Sequence, residues 1–204
     1  MKPEVKVLKK TSTEARNGLG EELLINGIVF LTGTVSSEMS YSVGAQLLYW
    51  SRRDPKKELT LYINSPGGSV HDGLAIIDMC KAAPNPIATV GWGLCASMGA
   101  MLLSCAGDKG NRLIYPSCEV MQHQPLTGVQ GQASDIAITA KQVLRMKERL
   151  YTMIAESCGQ SIRKVTRDFD RDRWFTAQEA LEYGMVDEIV KPGKPVSVPA
   201  RRER

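Results

Sequence analysis

The strongest constraint on this chain is a repeated alternation of short runs rich in Val, Ile and Leu with longer segments of helical period. Leu24–Leu31, Leu59–Asn64, Ile87–Trp92, Leu113–Tyr115 and Met185–Val190 are apolar, short and bounded by turn residues, which predicts strands. Between them Ser36 is placed to cap a helix carrying Met39, Val43, Leu47 and Trp50. A second helix follows Pro66-Gly67-Gly68 with Leu74 and Ile77 on one face. The longest is predicted from about Ser134 to Cys158, with Ile136, Ala140, Val143, Leu144, Tyr151 and Ile154 on one side and Gly159 as its stop. Strands separated by helices run parallel, because a hairpin turn cannot join them. The expectation is an α/β domain with its ligand site where strands end and helices begin.

With 204 residues, 43% of them hydrophobic, one domain with a single core is expected over residues 23–190. Residues 1–22 are polar and aperiodic and residues 191–204 are basic and rich in proline, so both are expected to be flexible. The formal charge of +4 lies in that tail, where Lys191, Lys194, Arg201, Arg202 and Arg204 face only Glu203; the rest of the chain balances. A neutral body makes a poor phosphate surface, which argues against nucleic-acid binding. No apolar run approaches the roughly 20 residues of a membrane span. The five cysteines (Cys80, Cys95, Cys105, Cys118 and Cys158) form no C-x-x-C pair, which argues against zinc and points to a reducing compartment.

Four segments carry groups suited to chemistry. There are two histidines, His71 and His123, so the choice of a neutral-pH proton shuttle is narrow. His123 stands where a strand yields to a loop opened by Pro125, although an isolated histidine is more often satisfied by a backbone carbonyl. In Gly91-Trp92-Gly93-Leu94-Cys95-Ala96-Ser97-Met98-Gly99 a strand runs into small residues, and Ser97 opens an apolar helix. Free amides at a helix start are suited to an oxyanion; taken alone, the segment favours simple capping by Ser97. The turn Asn64-Ser65-Pro66-Gly67-Gly68-Ser69 exposes bare backbone at a strand end, without the lysine of a phosphate-binding loop. Finally, Asp168, Asp170 and Asp172 lie in a run of alternating charge. One of them is available to orient an imidazole, and spacing does not choose among them.

Taken together and in order, these segments resemble the proteolytic subunit of the Clp protease (ClpP), a serine peptidase family. The likeness spans roughly residues 24–190 and rests on Tyr62-Ile63-Asn64-Ser65-Pro66-Gly67-Gly68, Ala96-Ser97-Met98-Gly99-Ala100, His123-Gln124-Pro125, Gly131-Gln132-Ala133 and Asp170-Arg171-Asp172-Arg173. The resemblance implies a crotonase-like spiral of strand-strand-helix units with a projecting handle helix. It implies Ser97 as nucleophile, His123 as general base, Asp172 as orienting acid and the amides of Gly68 and Met98 as oxyanion hole. Asp170 and Arg171 would join two rings, Gly128 to Gly131 would lie beside an extended substrate, and Tyr62 and Trp92 would receive an unfoldase. Thr60 and Ala82 stand where aromatic residues are common at that rim.

The implied assembly is two stacked heptameric rings, homomeric or mixed, whose chamber hydrolyses unfolded proteins delivered by an AAA+ ATPase. No metal or cofactor is implied for this chain, since ATP would serve the partner. A cytoplasmic location, or an organelle of bacterial descent, follows from the same likeness. The alternative within it is a mainly structural subunit that needs a sister chain for activity.

Overall fold

A computed structural model describes residues 20, 22–125, 128, 130–193 and 196. The flexible segments expected at 1–22 and 191–204 fall largely outside the described residues, as does part of the 128–131 stretch. The elements are β1 (Ile28–Thr32), α1 (Ser37–Arg53), β2 (Leu59–Ser65), α2 (Val70–Ala82), β3 (Ile87–Ala96) and α3 (Met98–Cys105). They continue with β4 (Arg112–Ile114), β5 (Glu119–Gln122), α4 (Ala133–Cys158), α5 (Ile162–Asp168), β6 (Arg173–Phe175), α6 (Ala177–Tyr183) and β7 (Glu188–Ile189).

The expected α/β architecture is present, as a seven-stranded sheet. Its spine runs β1-β2-β3-β4-β7, every neighbour parallel, while β5 pairs with β3 and antiparallel β6 pairs with β5. The caps read from the sequence form: the Ser36 hydroxyl accepts from the Met39 amide and the Ser69 hydroxyl from that of Asp72. Gly159 closes α4 in the left-handed conformation, φ 67°. Two predicted strands are shorter than expected. Residues 22–25 form a helical turn that ends at Gly27 (φ 77°), so Leu24 lies before β1; only Glu188–Ile189 pairs within Met185–Val190.

Strand β3 decides where the site lies. Its first half, Thr89–Gly91, pairs with β4, whereas its second half, Leu94–Ala96, pairs with β5. The change of partner occurs at Gly93, whose φ of 70° favours glycine and where a Cβ would stand 2.9 Å from the Asn64 side chain. Asn64 accepts a hydrogen bond from the Leu94 amide there. The sheet thus splits, and the β5–β6 ribbon peels off beside the end of β3.

The core gathers Leu31, Leu61, Ile63, Ile77, Met98 and Leu102 between the sheet and the helices. Helix α4, 26 residues and about 39 Å long, is buried only near its C-terminal end, at Leu150, Tyr151, Ile154, Ala155 and Cys158. Its first half leaves the body: Ile138 and Leu144 are 69% and 66% exposed, and Ile136 is exposed too. The apolar side read from the sequence is therefore core at one end only, and the other end projects as the handle.

Candidate active site

Ser97 follows β3 and precedes α3. Its amide donates to Met121 O on β5, and its own carbonyl accepts from the Met101 amide, so both sides of the residue are fixed. Helix capping does not explain it. The side chain makes no capping hydrogen bond, and the backbone adopts φ 53°, ψ −118°; among the described residues it is the one non-glycine with positive φ. Such strain costs on the order of 1–3 kcal/mol and persists where surrounding structure enforces it. It turns Oγ toward His123 Nε2, 3.0 Å away.

His123 is the first residue after β5, and the antiparallel register Met121↔Trp174, Gln122↔Arg173 carries on to set it opposite Asp172. Nδ1 lies 3.2 Å from Asp172 Oδ1. The histidine side chain is 16% exposed and the aspartate 63%. Of the three aspartates left open by spacing, Asp168 is instead paired with Lys164, Arg167 and Arg173, and Asp170 is exposed. The alternating run is more than a solvated face, because its aromatics anchor it. Phe169 and Phe175 are buried and pack with Tyr183 at ring separations of 5.3 to 6.2 Å, leaving residues 170–172 turned outward. The other histidine, His71, lies on α2 and lines a groove with Leu74, Asp78 and Arg149.

The glycine turn lies against the serine. A Cβ on Gly67 (φ 97°) would stand 2.7 Å from Ser97 Cβ and 2.8 Å from Ala96 O, and one on Gly99 would stand 2.6 Å from Ser65 O. Gly68 is held by a parallel bridge to Val35, in which Val35 donates to Gly67 O and Ser69 donates to Val35 O. That bridge uses the Gly67 carbonyl and the Ser69 amide and leaves the N–H of Gly68 out. The Met98 amide opens α3, where a helix leaves its first donors unpaired. The residue whose need for glycine touches the serine most directly is Gly67, which reading by motif passed over in favour of Gly68. Gly67→Ala is expected to displace Ser97 and lower peptide-cleavage kcat by about 100-fold, as misplacement near 1 Å does; steady-state kinetics on the assembled variant checks this.

The remaining sequence candidates lie elsewhere. Asp170 and Arg171 are exposed beside the triad. Tyr62 and Trp92 come together through Phe30, stacked on Tyr62 at 5.3 Å and edge-on to Trp92 at 6.3 Å. Phe30 escaped sequence reading because, inside an apolar strand, nothing marked its outward face; it is 48% exposed. Among the described residues no cluster of His, Cys, Asp or Glu is arranged to hold a metal ion. All five cysteines are buried and free. No described helix is long and apolar enough to cross a membrane.

The serine, imidazole and carboxylate thus stand in one hydrogen-bonded row. Comparison with known proteins supplies the lineage. The family model for Clp protease matches residues 12–193. The chain belongs to the Clp protease family. It is 50% identical over 179 residues to the ATP-dependent Clp protease proteolytic subunit 1 of Corynebacterium jeikeium, covering 88% of this chain and 95% of that one. It is likewise 50% identical over 171 residues to proteolytic subunit 2 of Corynebacterium diphtheriae, covering 84% and 85%, and 49% identical over 170 residues to proteolytic subunit 2 of Thermobifida fusca, covering 83% of each. As a Clp protease, the chain is a peptide-bond hydrolase with the mixed α/β fold of its family.

Proposed function

We propose that Ser97, His123 and Asp172 are the catalytic triad of this Clp-type serine endopeptidase. The observation that carries the reading is the pair of contacts at 3.0 and 3.2 Å that links the three side chains through the two nitrogens of one imidazole. With Nδ1–H donating to Asp172, Nε2 accepts the Ser97 hydroxyl proton as Oγ attacks a peptide carbonyl. The imidazolium then protonates the leaving amine, and water, deprotonated by the same nitrogen, releases the acyl group. The amides of Gly68 and Met98 receive the oxyanion, each such donor contributing roughly 3 kcal/mol to the transition state. Each proton transfer is assigned to a side chain of this chain, and in this reading ATP serves only a partner.

The same reading places the chain in two stacked heptameric rings, in the cytoplasm, fed with unfolded polypeptide by an AAA+ unfoldase. Its support is the likeness to relatives named as ATP-dependent proteolytic subunits. Tyr62 and Trp92, with Phe30, would receive the unfoldase, and Asp170 with Arg171 would join the rings. Enclosure would then supply the selectivity that an extended, backbone-bound substrate does not. A fluorophosphonate probe tests the triad: the assembled protein is expected to be labelled at Ser97 and to cleave small peptides. An assembled protein that is neither labelled nor active would overturn it.

A further inference from the structure

Asp172 is a weakly sheltered partner for a partly buried imidazole. Its side chain is 63% exposed, it lies in the link between α5 and β6, and β6 is only three residues long. An exposed carboxylate just before a short edge strand has several rotamers and a frayed ladder end available to it, so something beyond the strand must keep it facing His123. The last ladder pair is Gln122↔Arg173.

Past that pair the backbone ladder is replaced by side chains. Gln124, next to His123, reaches across and donates from Nε2 to the carbonyl of Asp170 at 2.9 Å. Its other end is taken up, since Oε1 accepts from Lys147 Nζ of α4, also at 2.9 Å. The neighbouring carbonyl, that of Phe169, accepts from the Tyr151 hydroxyl of the same helix at 2.8 Å, and the Lys147 ammonium stands 5.4 Å over the Tyr151 ring. Two successive carbonyls just before Asp172 are thus pinned, one from the histidine's own loop and one from α4. A glutamine suits this place because its amide both donates and accepts.

We infer that Gln124 is a positioning residue for the proteolytic reaction: it holds the Asp170–Asp172 segment at the distance from His123 at which the carboxylate meets Nδ1, and Lys147 fixes its amide from α4. The inference rests on the triad reading. Gln124 touches neither the Ser97–His123 contact nor the oxyanion amides, so its whole effect passes through Asp172.

A double-mutant cycle on the assembled protein tests this, read as the rate of Ser97 labelling by excess fluorophosphonate and as kcat and KM for a short peptide. Gln124→Glu keeps the shape and the Lys147 contact but removes the donor to Asp170. Gln124→Met removes donor and acceptor together and is the second variant should the first fail to assemble. Either is expected to slow labelling and lower kcat by about 10- to 100-fold with KM unchanged. In an Asp172→Asn background the same substitution is expected to cost less than about twofold, because groups acting through one another are not additive. An equal loss in both backgrounds, or no loss in the first, overturns the inference while leaving the triad intact. If Asp172→Asn itself slows nothing, the triad reading fails and takes the clamp with it.

Discussion

Replacing Ser97 by alanine is expected to lower peptide hydrolysis by about 10⁶-fold while leaving oligomeric assembly unchanged, and His123→Ala is expected to cost nearly as much. The reason is that, in the proposed triad, nucleophile and base work as one unit. Once either is gone the other has no step to perform, so the double variant should be scarcely worse than the singles. What survives is the contribution of the two amides and of substrate binding. Peptide cleavage measured on the assembled variants checks this, and a His123→Ala protein that retained activity would move the base elsewhere. Replacement of Ser97 also removes a strained backbone residue's hydroxyl but not the strain, since φ 53° is set by flanking hydrogen bonds to Met121 and Met101. A modest gain in stability is therefore expected from Ser97→Gly rather than from Ser97→Ala.

The second large effect concerns folding. Arg112, 3% exposed, places Nη2 at 2.6 Å and Nε at 2.8 Å from the two oxygens of Asp187, and its Nη1 donates to the carbonyls of Ser104 and Ser157. Asp187 also accepts from the amides of Gly110 and Arg112. This network ties β4 to the chain leading into β7 and to the helices α3 and α4. Removing one member leaves a buried charge unpaired, so Asp187→Ala is expected to destabilise the subunit by about 3–5 kcal/mol. For a chain of this length, thermal unfolding should shift down by on the order of 10 °C. Replacement of both partners by apolar residues of similar volume should cost much less.

The same pair sets a pH dependence. Burial works against the Asp187 charge, but the Arg112 hydrogen bonds and positive charge overcome it and hold the carboxyl below its ordinary range. A carboxyl with a depressed folded-state pKa contributes stability that is present above its unfolded value, about 3.9, and is lost as pH falls through the folded one. The stability of the wild type should therefore fall as Asp187 protonates, below about pH 4. In Asp187→Ala the fall over that interval should be shallower. Denaturant midpoints measured across acid pH would show the difference.

Much of this was legible in the sequence, and what was not has identifiable causes. The strands β2 and β3 and the helices α1, α2 and α4 carried long periodic signals and caps at Ser36, Ser69 and Gly159, which act locally. Helices α5 and α6 and strand β6 went unread. The helices have local caps at Ser161, Thr176 and Gly184 but span seven residues each, too few for a periodic signal, and three-residue β6 is held by tertiary contacts: Phe169 and Phe175 in the aromatic cluster, and Arg173 bound to Asp168. That gap explains why spacing could not choose among three aspartates. The choice is made by the β5–β6 register, and a strand that is not recognised has no register to read. Taken alone, the Ser97 segment favours a cap for a similar reason, since the backbone rotation that frees its hydroxyl depends on the hydrogen bond to Met121 of another strand and on the space left by Gly67.

The division of β3 between two neighbours makes the catalytic parts unequal. In the proposed triad, nucleophile and base grow from adjoining parallel strands rooted in the main sheet, whereas the acid precedes a three-residue strand attached to only one of them. Loosening that strand would leave serine and imidazole seated and merely unhook the carboxylate.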